Sequence, residues 1–235
     1  MKIILFILLS LNFLYANTNL NTASTKISEV TTKDCKIYKG DIKIGQSGII
    51  VQQIGDNSII LNIATVTQSN DKFSIVKFIN NNLLPQDSIA TSKRKPQNGD
   101  MFVLNHLYNT SLMIVPNTTS KNILKEKYPN QNFLNEDYFA AHLKLTNTPI
   151  PKKEDIQEFT KNHQIGTIFI VIKNDLYILD SLTFKVIDTI NLDINNNETK
   201  SPFLTKIKEI ERGFWDFGEE KIANYNKYYS RLLGI

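Results

Sequence analysis

The sequence predicts an α+β protein in three parts. A small antiparallel β-barrel or sandwich comes first, then an α/β module of helices packed on a three- to four-stranded meander, then terminal helices. Three observations carry this expectation. Residues 35–116 read as short alternating apolar runs punctuated by Gly, Asn and Asp. Residues 117–235 switch to capping residues followed by helical apolar spacing. Hydrophobic residues make up 41% of the 235, enough for a packed core and against global disorder.

The β-rich part opens with a strand over 37–44, running into Gly45-Gln46-Ser47-Gly48. Ile49-Ile50-Val51 follows, and Gly55-Asp56-Asn57 turns the chain into a strand over 58–66. Asn70-Asp71 turns again before a strand over 73–79. A polar loop covers 85–100. Residues 101–107 and 111–115 then read as a hairpin across Tyr108-Asn109-Thr110. Five or six strands at this spacing fit a small barrel or sandwich.

In the second part, residues 118–127 form a helix that Thr118, Thr119 or Ser120 can cap, and Pro129 marks its end. Asn135 caps the next helix, with Glu136 and Asp137 in its first turn, where the helix dipole favours acids. Pro149 and Pro151 separate it from a third helix over 154–162. Residues 166–172 are the most apolar run after the leader and read as a central strand. Strands over 176–179 and 184–190 complete the meander. After the Asn195-Asn196-Asn197 loop, residues 204–211 and 219–233 read as terminal helices.

Ahead of these parts stands an export leader at residues 1–16. Lys2 supplies its positive start, residues 3–14 its apolar run, and Ala16 the small residue after which a signal peptidase cuts. The run is shorter than the roughly 20 residues that span a bilayer. Asn, Thr and Ser dominate 17–34, which reads as a flexible spacer. Net charge is +4, nearly all of it lysine, too mild to imply nucleic acid. With one cysteine, Cys35, no intramolecular disulfide can form, and Cys35 lies too far from the cleavage point to carry a lipid. With no second membrane segment in sight, the expectation is a soluble periplasmic protein.

No catalytic constellation emerges. His106, His142 and His163 do not share a metal-ligand spacing. Ser47 lies between glycines but follows no histidine, and residue 49 is Ile, so the nucleophile-elbow pattern is absent and a glycine turn is the better reading. The acidic pairs Glu136/Asp137, Glu154/Asp155 and Glu219/Glu220 all fall at helix starts, where the dipole explains them. Lys93-Arg94-Lys95 reads as a solvated loop. The sequence therefore predicts no catalytic residue, no metal and no cofactor. A hydrolase with an unrecognised site is the remote alternative.

One cluster stands out near the C-terminus: Phe214, Trp215, Phe217, Tyr225, Tyr228 and Tyr229. Aromatic clusters anchor protein interfaces, because they bury large area at low entropy cost. The same rings could instead pack the terminal helices onto the domain.

Several segments, taken in order, resemble the N-terminal domain of the plasminogen-binding PgbA family. They are Ile44-Gly45-Gln46-Ser47-Gly48-Ile49-Ile50-Val51, Asn98-Gly99-Asp100-Met101-Phe102-Val103 and Met113-Ile114-Val115-Pro116-Asn117. Ile165-Gly166-Thr167-Ile168-Phe169-Ile170-Val171, Leu179-Asp180-Ser181-Leu182-Thr183-Phe184, Ser201-Pro202-Phe203 and Tyr228-Tyr229 follow. The resemblance implies plasminogen binding, a property the family owes to lysines ending long lysine-rich tails. The sequence here ends Leu232-Leu233-Gly234-Ile235, without such a tail, so the resemblance implies a fold before an activity. The second half is also similar at fold level to small modules of exported envelope proteins, the N-terminal domain of TolB and the flagellar ring protein FlgT among them. The expected role is a non-enzymatic scaffold held by other envelope proteins, with a flagellar-motor accessory disk as the specific form. Surface binding of plasminogen or another host protein is the alternative.

Overall fold

The computed structural model describes residues 19–79, 94–194, 198–208 and 222–235. The leader expected at 1–16 lies outside them, as do most of the 85–100 loop, Lys93, the Asn195-Asn196-Asn197 loop and residues 209–221. The architecture is α+β, a closed six-stranded barrel beside a five-stranded sheet covered by helices.

The barrel strands are β1 (Ala23–Ser28), β2 (Asp34–Ile37), β3 (Ser47–Ile54), β4 (Asn57–Ser69), β5 (Ser74–Ile79) and β6 (Met101–Leu104). They pair antiparallel in the order β1-β2-β5-β4-β3-β6, and β6 closes the ring on β1 with Ala23 opposite Leu104. Alternate residues point inward, as a pleated strand requires. Ile27, Cys35, Ile37, Val76, Phe102 and Leu104 thus meet in one interior cluster.

Three expectations are corrected here. The spacer over 17–34 contains β1, which supplies the barrel's closing pair. Its side chains gave little sign of this, because only Ile27 among the β1 residues is fully buried. The strand expected over 37–44 ends at Ile37, and Asp41 takes a left-handed φ of 56°. The hairpin expected from 101–107 and 111–115 does not form. β6 stays in the barrel, while β7 (Thr110–Ile114) leaves for the sheet. Their burial explains the split. β6 alternates, as a one-sided barrel strand does, whereas Ser111 to Ile114 are buried without a break.

The sheet order is β11-β10-β9-β7-β8, with β8 (Asn132–Leu134), β9 (Thr167–Ile172), β10 (Asp175–Asp180) and β11 (Val186–Asn191). β9, β10 and β11 form the antiparallel meander, and β7 pairs parallel with both β8 and β9. Helix α1 (Thr118–Lys127) connects β7 to β8, and α2 (Glu136–Leu145) and α3 (Lys153–Asn162) lead to β9. Asn117, rather than the three hydroxyl residues after it, caps α1 by accepting from Ser120 N at 2.9 Å. Asn135 caps α2 as expected.

β9 is buried at all six positions because the sheet is covered on both faces. Ile168, Ile170 and Ile172 pack under α2, α3 and the last helix, α4 (Tyr225–Leu233). Phe169 and Val171 face Leu124 of α1. The helix expected over 204–211 is absent from its described part. Residues 204–208 form an irregular strap, tied by Thr205 Oγ1 and Lys206 N donating to Asp137 Oδ1 at 2.6 and 2.8 Å. The final helix starts at Tyr225, where Asn224 accepts from Lys227 N at 2.9 Å.

Candidate functional site

The C-terminal aromatic cluster divides. Phe214, Trp215 and Phe217 lie outside the described residues. Tyr225 and Tyr229 are 0% exposed, one helical turn apart on the inner face of α4. Their rings stand 4.6 Å apart, and their hydroxyls donate to Ile114 O at 3.0 Å and Pro202 O at 2.9 Å. Burial pushes both phenols well above their ordinary titration range. Tyr228 is half-buried and donates to Pro151 O at 2.8 Å. The two buried tyrosines are therefore packing residues that fasten α4 to the sheet and to the strap, and they offer a partner no surface.

The densest polar cluster lies where the barrel meets the sheet. Asp180, at the end of β10, is fully buried and accepts four hydrogen bonds. Ser47 donates through its backbone N–H at 3.0 Å and through its hydroxyl. Tyr108 donates at 2.6 Å, and Thr183 N reaches the second oxygen at 2.7 Å. Gln46 Nε2 donates to Asn105 Oδ1 at 2.8 Å beside them. The glycines of this motif serve the approach. Gly45 adopts φ 101°, and a Cβ on Gly48 would collide with Val103 O and the Phe102 ring.

This cluster contains a serine and a carboxylate but no histidine, and its members are closed to solvent. A nucleophile needs a base to take its proton and a path for substrate. Asp180 accepts from the Ser47 hydroxyl, but burial leaves no path for substrate, so the arrangement works as a clasp between the two modules. Sequence reading missed Asp180 because its partner Ser47 is 133 residues away.

Other candidates fall to similar arguments. His142 and His163 lie tilted against Phe159 of the sheet core, with ring centroids 5.3 and 4.3 Å away. Burial lowers the pKa of His106. Cys35 points into the barrel, and desolvation, with Asp34 adding to it, pushes its thiol up to about 12, where it is unreactive. Arg94 is bidentate on Asp100, at 2.7 and 3.0 Å. Glu136 pairs with Lys121. Among the described residues no group of three His, Cys, Asp or Glu could hold a metal, and no helix is long and apolar enough to cross a membrane.

Two surfaces of the described residues are candidates for binding. The first is the β3–β4 hairpin, which outruns its neighbours. Among the described residues, β6 pairs with β3 as far as Val51, and β5 pairs with β4 as far as Ile63. Among the described residues, 52–62 therefore stand as a two-stranded ribbon. Gly55, with φ 59°, takes the first central position of its two-residue turn, where a type II′ hairpin needs positive φ. Ile54, Ile59 and Ile60 on this ribbon are 50%, 39% and 44% exposed. Ile54 and Ile59 share one face, by their pairing with Asn57 and Gln52. At its base, the buried Oδ1 of Asn62 has no hydrogen-bond partner among the described residues.

The second surface is a hollow of about 510 Å³ beside α2. Ala140 and Leu143 of α2 form one wall, Pro149 and Ile150 a second, and the strap with Pro202, Phe203 and Ile207 a third. Lys144, Lys200 and Lys208 stand at its rim.

The fold and these surfaces can be compared with known proteins. The family model described as plasminogen-binding protein PgbA N-terminal matches residues 22–233. The chain belongs to this family. Similar members include plasminogen-binding protein PgbA of Helicobacter pylori strain J99, 24% identical over 189 residues. The protein of the same name from strain 26695 is 23% identical over 189 residues. Each alignment covers 79% of this chain and 41% of the relative, so the chain spans about two-fifths of the length of these family members. No solved structure matches. Residues 22–233 include the Ser47–Asp180 clasp, the ribbon and the hollow, so all three lie within the family's N-terminal region.

Proposed function

We propose that the chain is an exported, non-enzymatic binding module of the periplasm, held in an envelope assembly through the β3–β4 ribbon. The outer edge of β4, unpaired among the described residues, carries this reading. Over residues 57–62 no described strand pairs with it. An exposed edge of this kind is a template for an added strand, and natural proteins usually blunt such edges with lysine or proline. Residues 52–62 contain neither, and Asp56 at the tip is their one charge. The occupant is therefore an extended, uncharged strand of another envelope protein, which would pair with the β4 backbone and bring a donor to Asn62 Oδ1. A flagellar-motor accessory disk is one assembly of this type.

The test places a photo-crosslinking residue at Ile59 of the full chain in its own cell. Capture of one envelope protein, lost in Ile54→Lys/Ile59→Lys, supports the reading. A product containing only two copies of this chain, or no product at all, overturns it.

The name of the relatives favours a second reading, capture of plasminogen. Immobilised full-length chain should then retain plasminogen and release it to a lysine analogue. Equal retention with and without the analogue counts against it.

A further inference from the structure

The hollow beside α2 points to a ligand of a different kind. Its floor is apolar and buried, made by Leu143 and Phe203, with Phe203 stacked 5.3 Å from Phe139 behind it. Its walls are the aliphatic surfaces of Ala140, Pro149, Ile150 and Ile207. A volume of about 510 Å³ lies within the range of small-molecule pockets. Among the described residues its charge is all at the mouth. Lys144, Lys200 and Lys208 are exposed, and among the described residues no acidic residue lines the hollow and none of the three lysines forms an ion pair. A low-dielectric hollow rimmed by one sign of charge focuses its potential on an ion of the other sign.

We propose that this hollow binds a free amphiphile with an apolar tail and a single anionic head, of the class of medium-chain carboxylates. The tail takes the space between α2 and the strap, and the carboxylate stays at the mouth among the three ammonium groups. Charge complementarity selects the head, and the apolar lining selects the tail. A docked helix fits less well. Such helices spread their anchors over two turns of a long groove, and the hollow presents only the single turn Ala140-Leu143-Lys144 of α2. The inference is independent of the ribbon.

The test is calorimetric titration of the full chain with octanoate, decanoate and laurate, beside dodecyltrimethylammonium as the cationic twin of laurate. Laurate should saturate at one per chain, and affinity should rise about fourfold per methylene until the hollow is full. The cationic twin should bind about tenfold more weakly. The exposed-rim variant Lys144→Glu/Lys200→Glu/Lys208→Glu should keep its melting temperature and reverse that preference. Ala140→Trp should fill the hollow and abolish uptake of both. Non-saturating laurate heats, or a head-group preference unchanged by the rim variant, overturn the proposal. Co-sedimentation with phosphatidylglycerol vesicles but no uptake of free laurate also overturns it, in favour of a membrane surface.

Discussion

The barrel and the sheet bury their strands differently. Barrel strands such as β2 and β6 alternate, with one face inside and the other facing out. The sheet strand β9 is buried at every position, because helices cover both its faces. β3 is the exception in the barrel. Ser47 to Val51 are buried on both faces, since the outer face of β3 meets Leu182 of the sheet module. The difference assigns roles. The sheet is enclosed and supplies rigidity, whereas the barrel keeps open strands and can lend the β3–β4 ribbon to solvent.

The sharpest way to break this contrast is one substitution made twice. Phe169 in β9 and Phe102 in β6 are both fully buried. Phe169 is wedged edge-on against Tyr128 and Phe133, at 5.1 and 5.2 Å, in a sandwich that cannot collapse. Phe169→Ala should cost about 5 kcal/mol and Phe102→Ala about 3 kcal/mol, because the cost grows with the cavity left behind. Equal losses in urea unfolding would remove the distinction.

Next in size is the clasp. Asp180→Ala strands the donors of Ser47, Tyr108 and Thr183 and should cost about 3 kcal/mol. It should also uncouple the modules. Cys35 lies inside the barrel and reports its opening. In the variant, thiol labelling should run ahead of amide exchange in β9, whereas in the parent the two should coincide. Simultaneous opening in both proteins would mean that the apolar contact at Leu182 joins the modules alone.

The smallest effect concerns acid. Donation by the Thr205 hydroxyl, then by the Lys206 N–H, holds Asp137 below its ordinary value of 3.8. A lowered carboxylate adds stability above its unfolded value and loses it as pH falls through the folded one. Asp137→Asn should therefore lower the melting temperature slightly at pH 6 and not at pH 2. A difference that persists at pH 2 would show that the strap is held by packing.

How much of this was legible follows from range. Local signals read well: Asn135 as a cap, the 118–127 helix, and the apolar run that became β9. Non-local ones did not. β1 earns its place through backbone pairing with β6 and β2, which leaves almost no trace in its side chains. β7 and β6 looked like a hairpin because they are close in sequence, yet the unbroken burial of Ser111 to Ile114 sends β7 to the sheet. The tyrosines of α4 stand out by composition, but their spacing of four, Tyr225 to Tyr229, is that of a single helix face turned inward. The glycine turn ends before Ser47, which opens β3, and only the folded chain could bring Asp180 to it.

The closing pair of the barrel sets an order of events. β1 is made early and cannot complete its ladder until Leu104 arrives opposite Ala23. Long loops of this kind are slow to close, since their entropy is lost before any contact repays it. Six residues after Leu104 the chain enters β7, which runs between β8 and β9 in the sheet. The stretch that seals the first module thus runs within six residues into a strand of the second, so the two share one short connection.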